Sequence, residues 1–224
     1  NFNMMIMIIY ALITIAIFGM WYYARYEGNF LPSPKKTFNP MMIVAIVILV
    51  PGTQFAANFI ANLTGYIRPD WLQQYNELFE TSGITDTTFV TVLYSVILAP
   101  ICEELIFRGV TMRCARKALP FALANLMQAA LFGLFHLNWI QGIYAFALGI
   151  VLGYVCERGG SIYYSMGLHL LFNLWGTLSG FFPDPGNSVV VFVVVIVVTI
   201  VSLVAGFVLF NKGRRKLPIN STGI

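Results

Sequence analysis

Polar side chains interrupt the apolar segments of this chain in three places. They are Glu103, Glu104 and Arg108, then His136, then His169 and Asn173. The two histidines are the only ones in the sequence. Carboxylates and imidazoles move protons, and amides donate hydrogen bonds to developing negative charge. These residue types together are suited to the hydrolysis of a polar bond such as a peptide bond.

Helical geometry separates the two adjacent glutamates. Residues four apart lie on one face of an α-helix, so Glu104 and Arg108 should form an ion pair with the acid on the N-terminal side. Glu103 shares its face with Phe107 and is expected to point elsewhere. We therefore predict that Glu104 and Arg108 are a structural pair and that Glu103 takes part in the chemistry.

The same spacing pairs the remaining polar residues. Phe132 with His136, and His169 with Asn173, should each project together. In a hydrolytic site Glu103 would take a proton from water, and His136 would orient or help to activate that water. His169 and Asn173 would donate hydrogen bonds to the oxyanion, and Phe132 would shape the pocket wall.

Zinc is the alternative to metal-free water activation. Glu103, His136 and His169 are of the types that zinc binds. The compact His-Glu-x-x-His motif is absent, and the ligands would come from three separate helices. We therefore favour metal-free activation and predict no cofactor, with zinc as the alternative. Cys102 is a poor candidate nucleophile because helical geometry turns it away from Glu103.

The composition requires a membrane around these residues. The chain has 224 residues, of which 58% are hydrophobic and 10% charged, which excludes a soluble enzyme and a free nucleic-acid-binding domain. We predict an all-α, polytopic bundle of about seven transmembrane helices, forming one integral-membrane domain over residues 1–224. The predicted spans are Phe2–Tyr23, Pro40–Asn62, Thr88–Phe107, Leu119–Leu137, Gly142–Cys156, Ile162–Phe181 and Ser188–Phe210.

The depth of the polar residues suggests a longer third helix. His136 lies about 24 Å along its helix from Pro120, at 1.5 Å per residue. If the third helix ended near Phe107, Glu103 would lie at the membrane edge and could not meet His136. A helix that continues to about Lys117 places Glu103 about 21 Å from its end, at a matching depth. We therefore predict the extended helix and a site buried in the bundle, reached by a water-filled cavity.

Loop charge predicts the orientation. Loops rich in basic residues alternate along the chain with loops rich in acidic residues. This alternation predicts an external N-terminus and a cytoplasmic C-terminus. The basic set is Arg25, Lys35, Lys36, Arg113, Arg116, Lys117, Arg158, Lys212, Arg214, Arg215 and Lys216, and the acidic set, with Arg68 as its one base, is Asp70, Glu77, Glu80, Asp86 and Asp184. Trp71–Phe79 mixes aromatic and polar residues, as either an interfacial amphipathic helix or an ordinary polar loop with a short helix would.

Three motifs resemble those of a known family. Glu-Glu-x-x-x-Arg (from Glu103), Phe-x-x-x-His (from Phe132) and His-x-x-x-Asn (from His169) occur in order between Thr88 and Gly180. Together they resemble the CAAX protease and bacteriocin-processing family, also called Abi or CPBP. The resemblance implies an intramembrane endopeptidase with a catalytic core over residues 88–180. It implies the same roles for Glu103 and His136, and an oxyanion hole formed by His169 and Asn173.

The resemblance leaves the substrate open. Eukaryotic members trim prenylated CAAX proteins, whereas bacterial members are linked to bacteriocin maturation, immunity and peptide signalling and are often labelled metalloproteases. We expect a protein or peptide substrate that is prenylated or bears a leader peptide. We expect the chain to lie in a bacterial plasma membrane and to have no nucleic-acid partner. The sequence does not predict the oligomeric state. The alternatives are a catalytically silent scaffold or immunity protein of the same fold and a proton-coupled transporter.

Overall fold

The described part of the chain is almost entirely helical. The computed structural model describes residues 2–27, 38–82, 88–179 and 188–214, and within these ranges it contains eight helices and no strand. They are α1 (Phe2–Tyr22), α2 (Pro40–Ile67), α3 (Pro69–Ser82), α4 (Phe89–Ala115), α5 (Phe121–Phe135), α6 (Trp139–Gly159), α7 (Ile162–Ser179) and α8 (Val189–Arg214). A five-residue π-helical segment, Tyr23–Glu27, extends α1.

Five of these helices are long and apolar enough to cross a membrane, namely α1, α2, α4, α6 and α8. Helix α5 is apolar but has only 15 residues. Helix α7 is not among the five, because His169 and Asn173 lower its hydropathy. The prediction of a polytopic helical bundle is confirmed, and "about seven" spans approximates five long helices plus the shorter α5 and α7.

Helix α4 continues well beyond the first apolar run. It is unbroken from Phe89 to Ala115, which confirms the predicted extension to within two residues of Lys117. Two segments of it, Leu93–Leu98 and Leu105–Met112, are π-helical. Such segments are rare and frequently lie at functional sites. They were not predicted from the sequence.

Helices α2 and α8 form the packed side of the bundle. The largest core cluster includes Met42 and Leu49 of α2, Leu152 of α6, and Phe210 of α8, all fully buried. Asn39 caps α2 by accepting from the backbone N–H of Met41 at 2.9 Å, and its amide donates to the carbonyl of Gly213 at 3.0 Å. These contacts fasten the start of α2 to the end of α8.

A tight turn between α5 and α6 positions His136. Leu137 has a φ of 54°, and Asn138 caps α6 by accepting from the backbone N–H of Gln141 at 3.1 Å. A Cβ at Gly133 would lie 2.5 Å from the carbonyl oxygen of Gly142, so only glycine permits this approach of the two backbones. His136 therefore lies at the end of α5, immediately before the turn.

The segment Trp71–Phe79 is helical, as both alternatives allow, and lies within α3. Trp71 stacks on Trp139 at the start of α6, with ring centroids 5.4 Å apart. Its location at a membrane interface stays a prediction. Part of the charge pattern that predicts orientation lies outside the described residues, namely Lys35, Lys36, Asp86, Asp184, Arg215 and Lys216.

Candidate active site

His169 lies between the two glutamates of α4. Its Nδ1 is 2.9 Å from Oε1 of Glu104, and its Nε2 is 3.6 Å from Oε2 of Glu103. The imidazole is buried, and Glu103 keeps 15% of its side-chain surface exposed. Helices α4 and α7 thus bring two carboxylates and an imidazole to one position within the bundle.

The prediction that Glu103 points elsewhere than Glu104 is wrong in that both carboxylates contact the same imidazole, that of His169. Adjacent helical residues diverge by about 100° at the backbone. However, glutamate side chains are long, and the two nitrogens of an imidazole lie on opposite sides of its ring. A histidine on a neighbouring helix can therefore contact both carboxylates, which helix periodicity alone does not show.

Arg108 occupies the deep end of this cluster. Its Nη1 donates to Oε1 of Glu104 at 2.8 Å, and both side chains have no exposed surface. Its Nη2 donates to the backbone carbonyl of Gly149 on α6 at 3.3 Å, and its guanidinium lies 4.5 Å from the ring centroid of Phe132. The predicted ion pair is therefore present and neutralises the buried carboxylate.

Phe132 links both histidines. Its ring meets His136 edge to face at 4.9 Å and His169 at 5.7 Å. Nδ1 of His136 lies 2.8 Å from the carbonyl oxygen of Phe132. Because a carbonyl can only accept, this contact assigns the proton of neutral His136 to Nδ1 and leaves Nε2 as an acceptor. His136 thus adjoins the cluster through the Phe132 ring.

Asn173 and His169 both face α4. Nδ2 of Asn173 donates to the backbone carbonyl of Ser95, in the first π-helical segment of α4, at 2.8 Å. The predicted projection of His169 and Asn173 from one face of α7 is confirmed. One of the two amide hydrogens of Asn173 is used in this contact, and the second is available to a ligand.

Two buried amides of α5 belong to the same polar region and were missed in the sequence. Gln128 and Asn125 donate to the carbonyls of Gly149 and Ile150 on α6. The signal that could have found them was present, since two amides interrupt the otherwise apolar Phe121–Phe135 segment.

The described residues do not offer a metal site. Within the ranges given above, no group of three His, Cys, Asp or Glu side chains lies close enough together to hold an ion. The alternative zinc ligands Glu103, His136 and His169 are therefore not assembled in this arrangement. Both nitrogens of His169 face glutamates, and Nδ1 of His136 faces a carbonyl. We derive no step through a metal.

Access to the site stays a prediction. One cavity of about 70 Å³ lies between α2, α6 and α8, and its lining includes Thr53, Tyr144, Leu148 and Leu203. None of the candidate catalytic residues lines this cavity. Glu103 keeps 15% of its side-chain surface exposed, and His136 and Asn173 are also partly exposed.

Comparison with known proteins finds similarity to one family. No curated protein and no solved structure matches the chain. A family model described as type II CAAX prenyl endopeptidase, Rce1-like, matches residues 85–175. This range contains Glu103, His136, His169 and Asn173 and all the motifs that carried the resemblance. The segment that holds the candidate site is therefore similar to the Rce1-like family, whose description is that of a prenyl endopeptidase.

Proposed function

We propose that this chain is an intramembrane endopeptidase that hydrolyses a peptide bond with a water molecule activated by Glu103 and His136. One observation carries the proposal. His169 contacts two carboxylates at once, and Arg108 neutralises only the deeper one, Glu104. Glu103 is left partly exposed and, within the described ranges, without an arginine or lysine partner. It is the carboxylate of this cluster that is free to accept a proton.

His136 is suited to hold the attacking water. With its Nδ1 proton donated to the carbonyl of Phe132, its Nε2 accepts a hydrogen bond from water. The proton of that water then passes to Glu103 as the water oxygen attacks the carbonyl carbon of the substrate. Phe132 keeps the two imidazoles on its ring and excludes bulk water from between them.

Asn173 and His169 are the proposed donors to the oxyanion. The second amide hydrogen of Asn173 is available, and His169 can donate from Nε2 when that nitrogen carries a proton. As the tetrahedral intermediate collapses, Glu103 returns its proton to the leaving amine. The products are a carboxylic acid and an amine, which become a carboxylate and an ammonium group by proton exchange, and Glu103 is again ionised.

We propose a CAAX-type prenylated protein or lipopeptide as the first substrate class to test, and a leader-peptide precursor as the second. The family description names a CAAX prenyl endopeptidase, which supports the first class. The proposed setting is a bacterial plasma membrane with the C-terminus of the chain in the cytoplasm. Arg113, Arg116, Lys117 and Arg158 lie at the ends of α4 and α6 that would then face the cytoplasm, in agreement with the positive-inside rule.

The decisive experiment uses Glu103→Gln in the purified full chain. This change keeps the shape of the side chain and removes the proton acceptor, so we expect cleavage of a farnesylated peptide, followed by mass spectrometry, to fall by at least about 10²-fold. Glu157→Gln is the matched control, because Glu157 is a half-buried glutamate that pairs with Arg116 at 3.1 Å, away from the site. The control should keep wild-type turnover.

Three outcomes would each contradict a part of the proposal. Unchanged turnover in Glu103→Gln would remove Glu103 from the mechanism. Absence of cleavage of both prenylated and leader-bearing peptides by wild-type protein would favour a catalytically silent member of the fold. A cysteine label placed after Lys212 that reacts only from outside the cell would reverse the proposed orientation.

Metal removal tests separately whether a metal ion takes part in activating the water. With Glu103 and His136 as the activating groups, prolonged chelation should leave turnover unchanged. Loss of activity on chelation that zinc restores would overturn the metal-free mechanism, and metal analysis of the same preparation would give the stoichiometry.

A further inference from the structure

A buried polar network lies behind the candidate site and is not used by the mechanism above. Gln128 of α5 has no exposed surface. Its Nε2 donates to the backbone carbonyl of Gly149 at 2.8 Å and to Oδ1 of Asn125 at 2.7 Å. Nδ2 of Asn125 donates to the next carbonyl of α6, that of Ile150, at 3.0 Å. Two amides of one helix thus bind two consecutive carbonyls of another.

The network shares an atom with the site. The carbonyl of Gly149 accepts from Gln128 and also from Nη2 of Arg108, at 3.3 Å. Arg108 in turn binds Glu104, and Glu104 binds His169. A continuous series of hydrogen bonds therefore leads from α5, through α6 and α4, to the imidazole on α7.

Glycines make this approach possible. A Cβ at Gly153 would lie 1.9 Å from Oδ1 of Asn125 and 2.7 Å from Nε2 of Gln128. A Cβ at Gly149 would lie 3.1 Å from Ala129 and 3.2 Å from the Phe132 ring. Gly149 and Gly153 are four residues apart and form the small-residue face that lets two membrane helices pack closely. The amides fit only because this face carries no side chains.

The network is not needed simply to join the two helices. The glycine face of α6 already allows close packing with α5, and an apolar residue at position 128 would add no unpaired carbonyl oxygen of its own. Instead, Oε1 of Gln128 and Nε of Arg108 are buried without a hydrogen-bond partner among the described residues. Each such atom lowers stability. A residue kept at that cost suggests a requirement for geometry rather than for stability.

We propose that Gln128 is a positioning residue, which fixes the Arg108 guanidinium through their shared Gly149 carbonyl and so sets the orientation of His169 against Glu103. Asn125 supports it by holding the Gln128 amide. A guanidinium has five donors in a rigid fork, so displacing one arm moves the arm that binds Glu104. The proposal rests on the proposed function, because its consequence is a change in catalysis. The orientation of His169 is nevertheless measurable without a substrate.

The test combines kinetics with NMR of the two histidines in the full chain. Gln128→Met keeps the length of the side chain and removes the donor, and Gln128→Glu offers Arg108 a second carboxylate. We expect both variants to lower kcat by about tenfold with little change in KM, because small displacements within an active site are costly. The imidazole ¹⁵N signals of His169, assigned through their loss in His169→Gln, should shift, and more strongly in Gln128→Glu.

Tyr154→Phe is the matched control. It removes another hydrogen bond between buried helices, from Tyr154 to Asn211 at 2.9 Å, without touching Arg108 or Glu104. It should leave both kcat and the His169 signals at their wild-type values. Asn125→Ala, which releases the Gln128 amide and leaves its side chain in place, should shift the His169 signals in the same direction as Gln128→Met but less.

The outcomes separate this inference from the proposed function. His169 signals that stay at wild-type values in folded Gln128 or Asn125 variants overturn the inference, whatever the activity. His169 signals that shift while kcat stays unchanged also overturn it, because the orientation would then not matter to catalysis. A wild-type chain that cleaves no peptide, but whose His169 signals respond to Gln128, contradicts the proposed function and leaves the structural link intact.

Discussion

The helices that carry the site and the α2–α8 pair are built differently. Helices α4, α5, α6 and α7 meet through charged and amide side chains, with the Arg108–Glu104 pair fully buried. Helices α2 and α8 meet through small residues and apolar packing, with Gly206 of α8 against Leu49 of α2 and with Gly213 against Met42. The α2–α8 contact includes hydrogen bonds of Asn39 and Ser202 but, among the described residues, no ion pair.

This difference teaches where function constrains the molecule. Between lipid-facing helices, close packing of small residues is sufficient for association, whereas buried charges cost free energy unless each has a partner. The site region bears this cost, and the α2–α8 pair does not. The four predictions below test whether substitutions in the two regions separate into effects on activity and effects on stability.

The largest effect is expected from Arg108→Met. Removal of Arg108 leaves Glu104 as a buried carboxylate without a cation, which costs about 3–5 kcal/mol of unfolding free energy. Thermal unfolding in detergent should show this loss, together with loss of peptide cleavage. Ser202→Ala, which removes a hydroxyl bonded to the backbone of α2, is the comparison in the other region and should lose much less. Equal losses would erase the distinction between the two regions.

Asn173→Ala should separate catalysis from stability. Asn173 is half-buried, and its amide makes one hydrogen bond to the Ser95 carbonyl. Loss of an oxyanion donor is expected to lower kcat by about 10²-fold, with only a modest change in unfolding temperature. Asn173→Asp removes the donor and adds a charge, so it should be at least as inactive. Wild-type kcat in Asn173→Ala would exclude this residue from the oxyanion hole.

A pair of glycine substitutions compares the two regions directly. In Gly153→Ala the new methyl lies 1.9 Å from Oδ1 of Asn125, and in Gly206→Ala it lies 2.6 Å from the side chain of Leu49. Overpacking should cost each variant about 1–3 kcal/mol of unfolding free energy. We expect kcat, measured per folded molecule, to fall only in Gly153→Ala. A fall in both variants would mean that packing alone controls activity.

The smallest effect is expected at the exposed pair of Arg68 and Asp70. Their atoms approach to 2.6 Å, closer than Arg108 and Glu104, but both side chains are about half exposed, at 47% and 53%. The hydrogen bond from Arg68 holds the pKa of Asp70 below its ordinary value. A depressed pKa contributes stability above the unfolded-state pKa that is lost as the pH falls through the folded-state pKa.

Solvent screening makes this contribution small. Asp70→Asn should therefore leave the unfolding temperature at neutral pH nearly unchanged. The wild-type chain should lose slightly more stability on acidification than the variant does. A large decrease at neutral pH would show that the short distance, and not burial, determines the strength of an ion pair in this chain.

Much of the fold followed from periodicity and composition. Apolar runs of membrane length gave the helices, and the depth of His136 required α4 to extend beyond Arg108, as it does. The segment around Trp71 is helical. The π-helical segments of α4 were not foreseen, because they depend on packing against neighbouring helices and leave no mark in local propensity.

For the site, the spacing of four residues correctly paired Glu104 with Arg108 and placed His169 and Asn173 on one face. Spacing within one helix could not reveal that His169 would contact both glutamates, or that Phe132 would lie between the two histidines. The catalytic roles of Glu103, His136, His169 and Asn173 stay predictions.

The sequence by itself determined that this protein lies in a membrane, that it is helical, and which polar residues it must bury, because these properties follow from local hydropathy and helical periodicity. Only the tertiary structure decided which of those residues meet. The contact of His169 with Glu103 and Glu104 joins positions 65 and 66 residues apart, and the Gly149 carbonyl joins Arg108 to Gln128 across three helices. Such contacts depend on how helices cross and rotate against one another, and no local pattern encodes that.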